Sequence, residues 1–301
     1  MEEITNQNPS DLNNRPHKIV IPWKVLVLVI SISVGVAILV SSLIVSKGLF
    51  KPSPKAERFD ISSTIITKNE ALVKLAAQII KRHLDAISVI GTAYSQNQRL
   101  LMFINEDRWE EAVKSIAGLL KEDLSKPERI FLTDMGGTLM ADFPVLSNAK
   151  GQNYASKDWY KGVTNEFKPY ISEVHQRFPG PRFNVVSFAF PVKNQRKVPV
   201  AVLVIETRSD SFLDWVYEVK VGNSGKLFIV DQRGQIVAHP DFASQGQIID
   251  YSAEKDVQRV LAGQSGTDIF FDGKKLISSY EPLLDSYKWG AIFRISIDEA
   301  K

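Results

Sequence analysis

The hydrophobic and polar positions of this chain change their period along its length. Residues 25–46 form an apolar run without a charged side chain, flanked by a lysine on each side. At about 1.5 Å per residue, a helix of this length reaches roughly 33 Å and crosses a hydrocarbon core of about 30 Å. The pattern therefore predicts a transmembrane helix over 22–46, preceded by a polar, disordered tail over 1–21.

The charges around this run do not decide its orientation. Lysine and arginine are balanced on its two sides, with Arg15, Lys18 and Lys24 before it and Lys47, Lys51 and Lys55 after it. Near-equal numbers leave the positive-inside rule without a preference. A cleaved signal peptide is the alternative interpretation. The run favours an uncleaved anchor because it is longer than a signal core and ends without a small-residue cleavage site.

A helical period follows a linker. Residues 47–60 contain a glycine and two prolines and are interpreted as this linker. Apolar side chains over 72–90 then recur at i, i+3, i+4 and i+7, the spacing of one helix face. No proline interrupts the chain between 60 and 125. The pattern predicts a helix of about 35 residues and a second, shorter helix over 109–120, so that 61–125 is a helical region.

After Pro127 the period falls to two, which is typical of half-buried strands. Residues 130–140 and 227–239 each have the order strand, Asp-x-x-Gly turn, strand. The remaining predicted strands cover 169–174, 184–191, 198–206, 266–271, 275–282 and 289–297, with short helices over 211–217 and 252–262. The fold class is α+β, with two related α/β modules in tandem, over 126–217 and 218–301, on one long helix.

Composition excludes several classes of function. The formal charge of +3 is too small to indicate a nucleic-acid partner. The chain has no cysteine and only four histidines, which excludes the usual zinc spacings. No nucleophile elbow, phosphate loop or H-E-x-x-H motif is present. We therefore expect no enzyme activity and no cofactor. The chain is either a stand-alone anchored domain or part of a receptor with a second membrane helix and a kinase or cyclase output domain.

Several short phrases occur in a characteristic order. They are Lys-Asp-Trp-Tyr at 157–160, Pro-Tyr-Ile-Ser-Glu at 169–173, Phe-Pro-Val at 190–192, Val-Leu-Val-Ile-Glu at 202–206, Gly-Lys-Leu-Phe-Ile-Val-Asp at 225–231, Ala-His-Pro at 238–240 and Lys-Trp-Gly at 288–290. In this order, over residues 60–300, the chain resembles the double Cache sensor domain of bacterial transmembrane receptors. The resemblance implies two PAS-like modules with antiparallel sheets, an extracytoplasmic domain on a single-pass inner-membrane anchor, and a role in chemotaxis or related signal transduction.

The resemblance also implies the location of the ligand. A membrane-distal module, 126–217, is expected to hold the pocket, and a membrane-proximal module, 218–301, to transmit the signal. Amino-acid-binding relatives use a motif close to Tyr-x4-Arg-x-Trp-Tyr, followed by a Tyr and an Asp. Trp159 and Tyr160 match this motif, whereas Lys157 stands at the Arg position and Gln152 at the first Tyr position.

Three further positions complete the expected site. Glu206 stands where the relatives have the Asp that binds the ligand amine, and Tyr170 or His175 takes the place of the later Tyr. Arg182 follows a Phe-Pro-Gly-Pro turn that is suited to a lid over the pocket. Together with Trp159, Tyr160 and Lys157, these residues form the candidate ligand-binding set.

Each candidate also has a structural interpretation. Large aromatic side chains such as Trp159 and Tyr160 equally suit a hydrophobic core with their polar tips bonded to backbone. Lys157 and Arg182 are residue types that are mostly exposed. Glu206 lies in an apolar strand and must be paired, either by a ligand ammonium or by an internal cation such as Lys157 or Arg182. His239 is interpreted as closing a local turn.

The sequence therefore supports two hypotheses. The first is a membrane-anchored sensor that binds a small polar molecule, namely an amino acid, an amine or a carboxylate. The second is an anchored scaffold or dimerisation domain of the same shape that binds no ligand. In both cases a homodimer is expected, because Leu72, Ile79 and Ala86 lie seven residues apart on the long helix.

Overall fold

The structure is a computed structural model that describes residues 63–124, 127–219, 225–242, 246–283 and 287–298. The predicted tail, transmembrane helix and linker lie outside these residues. None of the helices among the described residues combines the length and the apolar character of a membrane span.

Three helices open the described part. They are α1, Ser63–Ser95, α2, Gln98–Asn105, and α3, Trp109–Asp123. The first spans 33 residues, close to the predicted length. It stops where Asn97 takes an extended conformation, and the Asn97 side chain accepts hydrogen bonds from the backbone of Arg99 and Leu100. This side-chain cap satisfies the first donors of α2 and so separates the two helices.

The first sheet is antiparallel and contains six strands. Its strands are β1, Arg129–Thr133, β2, Leu139–Phe143, β3, Tyr170–Ile171, β4, His175–Gln176, β5, Asn184–Lys193 and β6, Pro199–Arg208. Their order in the sheet is β2-β1-β6-β5-β3, and β4 also pairs with β5. Helix α4, Asp158–Glu166, lies between β2 and β3 in the chain, and the 3-10 turn Ser209–Phe212 leads into α5, Leu213–Glu218.

The second sheet repeats this arrangement with five strands. They are β7, Lys226–Val230, β8, Ile236–Ala238, β9, Gly266–Asp272, β10, Lys274–Pro282 and β11, Gly290–Ser296, with α6, Lys255–Leu261, between β8 and β9. The strand order β8-β7-β11-β10-β9 is the order of the first sheet in equivalent strands. The predicted mixture of helices and antiparallel sheets is confirmed.

The segment predicted as one strand over 169–174 is different in the structure. It contains only the two-residue strand β3, because side chains replace the backbone acceptors that would continue the sheet. The backbone N–H of Glu173 donates to the Asp158 carboxylate at 3.0 Å, and that of Val174 donates to Asp231 at 2.8 Å. Helix α4 was not predicted, since only a few apolar positions mark so short a helix.

The two faces of the first sheet pack against different partners. One face carries Ile130, Leu132 and Phe188 and joins a large apolar core that includes α1. Helix and sheet approach closely there, because a Cβ at Gly91 would lie 2.2 Å from the Phe190 ring. The opposite face, which carries Phe131, belongs to a separate aromatic cluster that includes helix α4. This second face holds most of the candidate site.

Candidate functional site

Helix α4 places Trp159 and Tyr160 against the first sheet. It begins with Asp158 in its first turn, a favourable position for an anion, and ends at Phe167 in a left-handed conformation. Trp159 is 2% exposed and meets the Phe131 ring edge-on, with centroids 5.6 Å apart. The Tyr160 ring lies 5.9 Å from the Trp159 ring. The two residues form an aromatic wall over the sheet face.

Both candidate tyrosines bond within the protein. The Tyr160 hydroxyl donates to the Met135 carbonyl at 2.6 Å. The Tyr170 hydroxyl donates to the Asp158 carboxylate at 3.0 Å, and burial together with that carboxylate raises the pKa of Tyr170 to about 12. Asp158 therefore connects the start of α4 to the segment that follows β3.

Three buried charged side chains lie beside the aromatic wall. Arg129 is fully buried and donates through Nε and Nη2 to one oxygen of Asp142, at 3.2 and 2.8 Å. Its Nη1 lies 3.9 Å from Oε2 of Glu206, too far for a hydrogen bond. Glu206 is 3% exposed. Of the internal partners expected for Glu206, neither Lys157 nor Arg182 fills the position, and Arg129 from β1 stands there instead.

The pair Arg129 and Glu206 is incomplete. Arg129 Nη1 and Glu206 Oε2 are both buried and have no hydrogen-bond partner. Burial raises the pKa of the Glu206 carboxyl to about 7, against the opposing attraction of Arg129 and Arg177. A buried carboxylate oxygen without a partner is costly, so this position favours a proton or a bound cation.

The Phe-Pro-Gly-Pro turn covers the same end of the sheet. Arg177 forms an ion pair with Glu128 and donates through Nε to the Pro181 carbonyl at 3.2 Å. The Tyr154 hydroxyl, part of the aromatic cluster, donates to the Phe178 carbonyl at 3.0 Å. These bonds hold the turn against the cluster, whereas Arg182 itself is exposed.

His175 lies at the edge of the site, and a single serine, Ser187, separates it from Glu206. Ser187 is directly opposite Glu206 in the β5–β6 pair, and its hydroxyl is 3.3 Å from His175 Nε2. His175 Nδ1 is near the Ser172 hydroxyl, at 3.4 Å. Burial lowers the pKa of His175, so the imidazole is neutral at pH 7.

Lys157 is set apart from this group. It occupies the N-cap position of α4 and lines a shallow surface depression with Glu173 and His175. The structure thus brings together Trp159, Tyr160 and Glu206 on one face, with Tyr170 and His175 at its edge, and places Lys157 and Arg182 at the surface. Sequence reasoning missed Arg129, Asp142 and Tyr154. Arg129 and Asp142 could have been found from the sequence, because each is a charged residue in an otherwise apolar strand.

His239 has a local role in the second sheet. Its Nδ1 accepts a hydrogen bond from the backbone of Asp241 at 3.1 Å, and its ring stacks on Phe242 at 4.3 Å. The side chain closes the turn after β8, as the structural interpretation predicts.

The two sheets are connected through the turn after β7. Asp231 accepts hydrogen bonds from the backbone of Arg233 and Gln235 within the turn, and its other oxygen accepts from Val174 beyond β3. Arg233 also pairs with Glu173. The segment that closes one edge of the candidate site is therefore bonded directly to the second sheet.

Two equivalent antiparallel sheets on one long helix, one of them with a buried polar site, define a two-module sensor fold. The sequence profile of the Cache domain matches residues 59–301. The chain belongs to the Cache domain family.

Solved structures of chemoreceptor domains share this fold. The ligand-binding domain of the Pseudomonas fluorescens chemoreceptor CtaA in complex with L-leucine superposes with a TM-score of 0.61 at 19% identity, over 80% of this chain and 98% of that one. The ligand-binding domain of the Pseudomonas aeruginosa amino acid chemoreceptor PctB in complex with L-Gln gives a TM-score of 0.59 at 18% identity, over 77% and 91%. At these identities the likeness shows the fold.

The curated relatives are chemotaxis proteins. The methyl-accepting chemotaxis protein McpA of Pseudomonas putida is 26% identical over 198 residues, which cover 62% of this chain and 29% of that protein. McpA of Bacillus subtilis is 28% identical over 157 residues, which cover 50% of this chain and 23% of that protein. The matched region is less than a third of each relative, and both relatives are named methyl-accepting chemotaxis proteins.

Proposed function

We propose that this chain is the extracytoplasmic sensor part of a membrane-anchored receptor and binds a small polar molecule on the first sheet. One observation carries the proposal. An aromatic wall, Trp159 and Tyr160, and a buried carboxylate with an unpartnered oxygen, Glu206, converge on one face of a sheet. Apolar walls with a few convergent polar groups are typical of small-molecule sites.

The proposed ligand contacts follow from this arrangement. Trp159, Tyr160 and Tyr170 supply the apolar wall, and Glu206 binds a positively charged group of the ligand. His175 contributes a neutral ring at the edge of the site, and Lys157 and Arg182 attract and orient ligands from the surface.

The ligand class is an amino acid, an amine or a carboxylate. The amino acids in the CtaA and PctB complexes support the first of these. Lys157 in place of the family arginine weakens the carboxylate clamp, because an ammonium cannot offer a planar bidentate fork. Glu206 in place of the Asp keeps the amine partner. The departures therefore favour ligands that carry an amine.

Signal transmission is proposed to use the contacts between the sheets. A ligand that moves α4 displaces Asp158, which holds the backbone of Glu173. The next residue, Val174, is bonded to Asp231 of the second sheet. A small shift at the site therefore changes the packing of the second sheet, which we propose as the membrane-proximal module.

A scaffold without a ligand is the second candidate. Trp159 is only 2% exposed and packs between Phe131 and Tyr154, with ring centroids 5.6 and 5.9 Å away. Ligand entry therefore requires these rings to move. Phe188 and Phe190 face the other side of the sheet and pack toward α1, so they do not fill the site.

A thermal-shift panel of amino acids, amines and organic acids, applied to the full chain in lipid nanodiscs, separates the two candidates. A ligand at about 100 times its Kd adds about 2.7 kcal/mol of stability. Trp159→Phe should weaken its binding about tenfold. Trp109→Phe is the matched control, since Trp109 is also buried but lies in the other core and bonds Asp107. A panel without any stabilising compound favours the scaffold. Equal affinities in both variants refute the site.

A further inference from the structure

The charged groups around Glu206 do not balance. Three carboxyl groups, Glu128, Asp142 and Glu206, face two guanidinium groups, Arg129 and Arg177. Arg208 also attracts Glu128, but its charge is matched by its own ion pair with Asp210. With every carboxyl group ionised, the cluster therefore carries one uncompensated negative charge.

The geometry assigns this charge to Glu206. Asp142 takes two hydrogen bonds from Arg129 and one from the backbone of Leu146. Glu128 is paired with Arg177. Glu206 Oε2 is buried without a hydrogen-bond partner, and Arg129 Nη1 is 3.9 Å away from it. The unbalanced charge and the unpartnered oxygen belong to the same side chain.

We propose that the site always holds one positive charge at Glu206, a proton when it is empty and the ammonium group of a ligand when it is occupied. This inference rests on the proposed function, since it specifies how the same site selects and exchanges its ligand. Binding breaks the carboxyl O–H bond, releases the proton to solvent and leaves Glu206 as a carboxylate paired with the ammonium. A ligand that carries only negative charge is excluded, because it would add to the uncompensated charge.

The other titratable groups that face the cluster stay neutral around pH 7. Burial raises the pKa of Tyr154, and burial lowers the pKa of His175. The raised pKa of Glu206, about 7, makes its proton exchangeable at neutral pH. Glu206 is therefore the group of this cluster that titrates there.

The proton can be tested without any ligand. The folded-state pKa of Glu206 lies above the ordinary value of 4.5, so the wild type loses the stabilising contribution of Glu206 as pH rises from about 4.5 through 7. Glu206→Gln reproduces the protonated side chain and lacks this loss. In thermal unfolding of the full chain in nanodiscs, the Gln variant should be more stable than wild type at pH 8, and the difference should disappear near pH 4.5.

Glu122→Gln, on an exposed face of α3, is the matched control and should show no such crossover. A Glu206→Gln variant that is no more stable than wild type at pH 8, or a difference that is constant with pH, overturns the proton assignment.

Exchange is tested with propylamine, alanine and propionate, which have similar size and differ in charge. By proton linkage to a group with a pKa of about 7, propylamine should bind about 30-fold more weakly at pH 5.5 than at pH 8. Calorimetry in two buffers of different ionisation enthalpy should show proton release at pH 7. Glu206→Gln should remove the pH dependence.

The outcomes of this experiment separate the two proposals. Binding of propionate in preference to propylamine keeps the sensor and overturns the charge rule. If propylamine gives no stabilisation at pH 8, the exchange is overturned, and the wider panel still decides whether the domain is a sensor.

Discussion

Each sheet has an arginine that pairs with a buried carboxyl group, and the two arrangements differ in how completely they are satisfied. In the second sheet, Arg294 donates to both oxygens of Asp256 at 2.8 Å, and Ser278 donates to Asp256 at 2.6 Å. In the first sheet, Arg129 donates to one oxygen of Asp142. Its Nη1 lies 3.9 Å from Glu206 Oε2, and this oxygen has no hydrogen-bond partner.

Glu206 in the first sheet and Arg294 in the second occupy equivalent positions in the internal repeat. Glu206 pairs with the first residue of β1, and Arg294 pairs with the first residue of β7. Asp134 and Asp231 make the same side-chain turn after these strands. The same structural position therefore carries a negative charge in one sheet and a positive charge in the other.

This difference distinguishes a structural position in the second sheet from the proposed binding position in the first. The helix of the second sheet supplies its own carboxylate, Asp256, so the pair is complete within the fold. The helix of the first sheet supplies Trp159 on the sheet face, and no cation from that helix reaches Glu206. A closed ion pair stabilises its module, whereas an open one is available for exchange with solution.

Removal of Arg129 should have the largest effect on stability. Arg129→Met leaves two buried carboxyl groups, Asp142 and Glu206, without their guanidinium. We expect a loss of about 5 kcal/mol, measured by chemical denaturation at pH 8. The triple variant with Asp142→Asn and Glu206→Gln should recover most of it. If Arg129→Met is as stable as wild type, the buried cluster is not a charged network.

Removal of the corresponding arginine of the second sheet should cost less. Arg294→Met leaves a single buried carboxylate, Asp256, which keeps its bond from Ser278, and a second carboxylate, Glu254, whose side chain is 41% exposed. We expect a loss of about 3 kcal/mol in the same assay. The stability difference between Glu206→Gln and wild type should keep its pH dependence in this background. A loss larger than that of Arg129→Met would reverse the comparison.

The two sheets should also respond to pH in opposite directions. Burial lowers the pKa of His239 to about 4, so its stabilising contribution is complete above pH 6.5 and falls as pH decreases toward 4. By linkage, about 2 kcal/mol is lost between pH 6.5 and 5. His239→Phe should remove this acid loss, although it loses the bond from Asp241. Unfolding curves from pH 4.5 to 8 test both pH dependences, because the contribution of His239 falls as pH decreases and that of Glu206 falls as pH rises. An unchanged acid slope in His239→Phe would contradict the assignment.

The smallest effect concerns helix α1, which packs against both sheets. The predicted seam is only partly available, because Leu72 and Ile79 pack on the core. Leu75 and Val89 are exposed, at 52% and 69%, and lie fourteen residues apart, at two heptad intervals. We propose a parallel homodimer along this stripe, which the predicted membrane anchor would strengthen by raising the effective concentration.

Cysteine crosslinking in membranes tests the dimer, because the chain has no native cysteine. Leu75→Cys, beside the second sheet, and Val89→Cys, beside the first, should each crosslink to the same position of a second copy. Either substitution should change the stability of the fold by less than about 0.5 kcal/mol. Val145→Cys, exposed at 74% outside α1, is the control. If the crosslinking yield at positions 75 and 89 does not exceed that of the control, the proposed dimer along this stripe is wrong.

Local patterning determined most of the secondary structure of this protein. The i, i+3, i+4 spacing predicted α1, and the period of two predicted β1, β5, β6, β7, β10 and β11 within a few residues. These elements follow from the sequence because each buries one face, and burial imposes its period on the chain. The two Asp-x-x-Gly turns predicted the internal repeat. They are also local features, because each Asp side chain accepts hydrogen bonds from the backbone of its own turn.

Tertiary structure decided the short elements and the polar site. Helix α4 and strand β3 depend on contacts with residues far along the chain, such as the bond between Val174 and Asp231. The sequence predicts either a ligand ammonium or an internal cation such as Lys157 or Arg182 as the partner of Glu206, but the β1–β6 register places Arg129 there, across a large sequence separation. The pattern of hydrophobic and polar residues in the sequence indicates which residues are buried. Which buried charges meet, and which oxygen remains unpartnered, depends on strand order and register, which only the folded sheet determines.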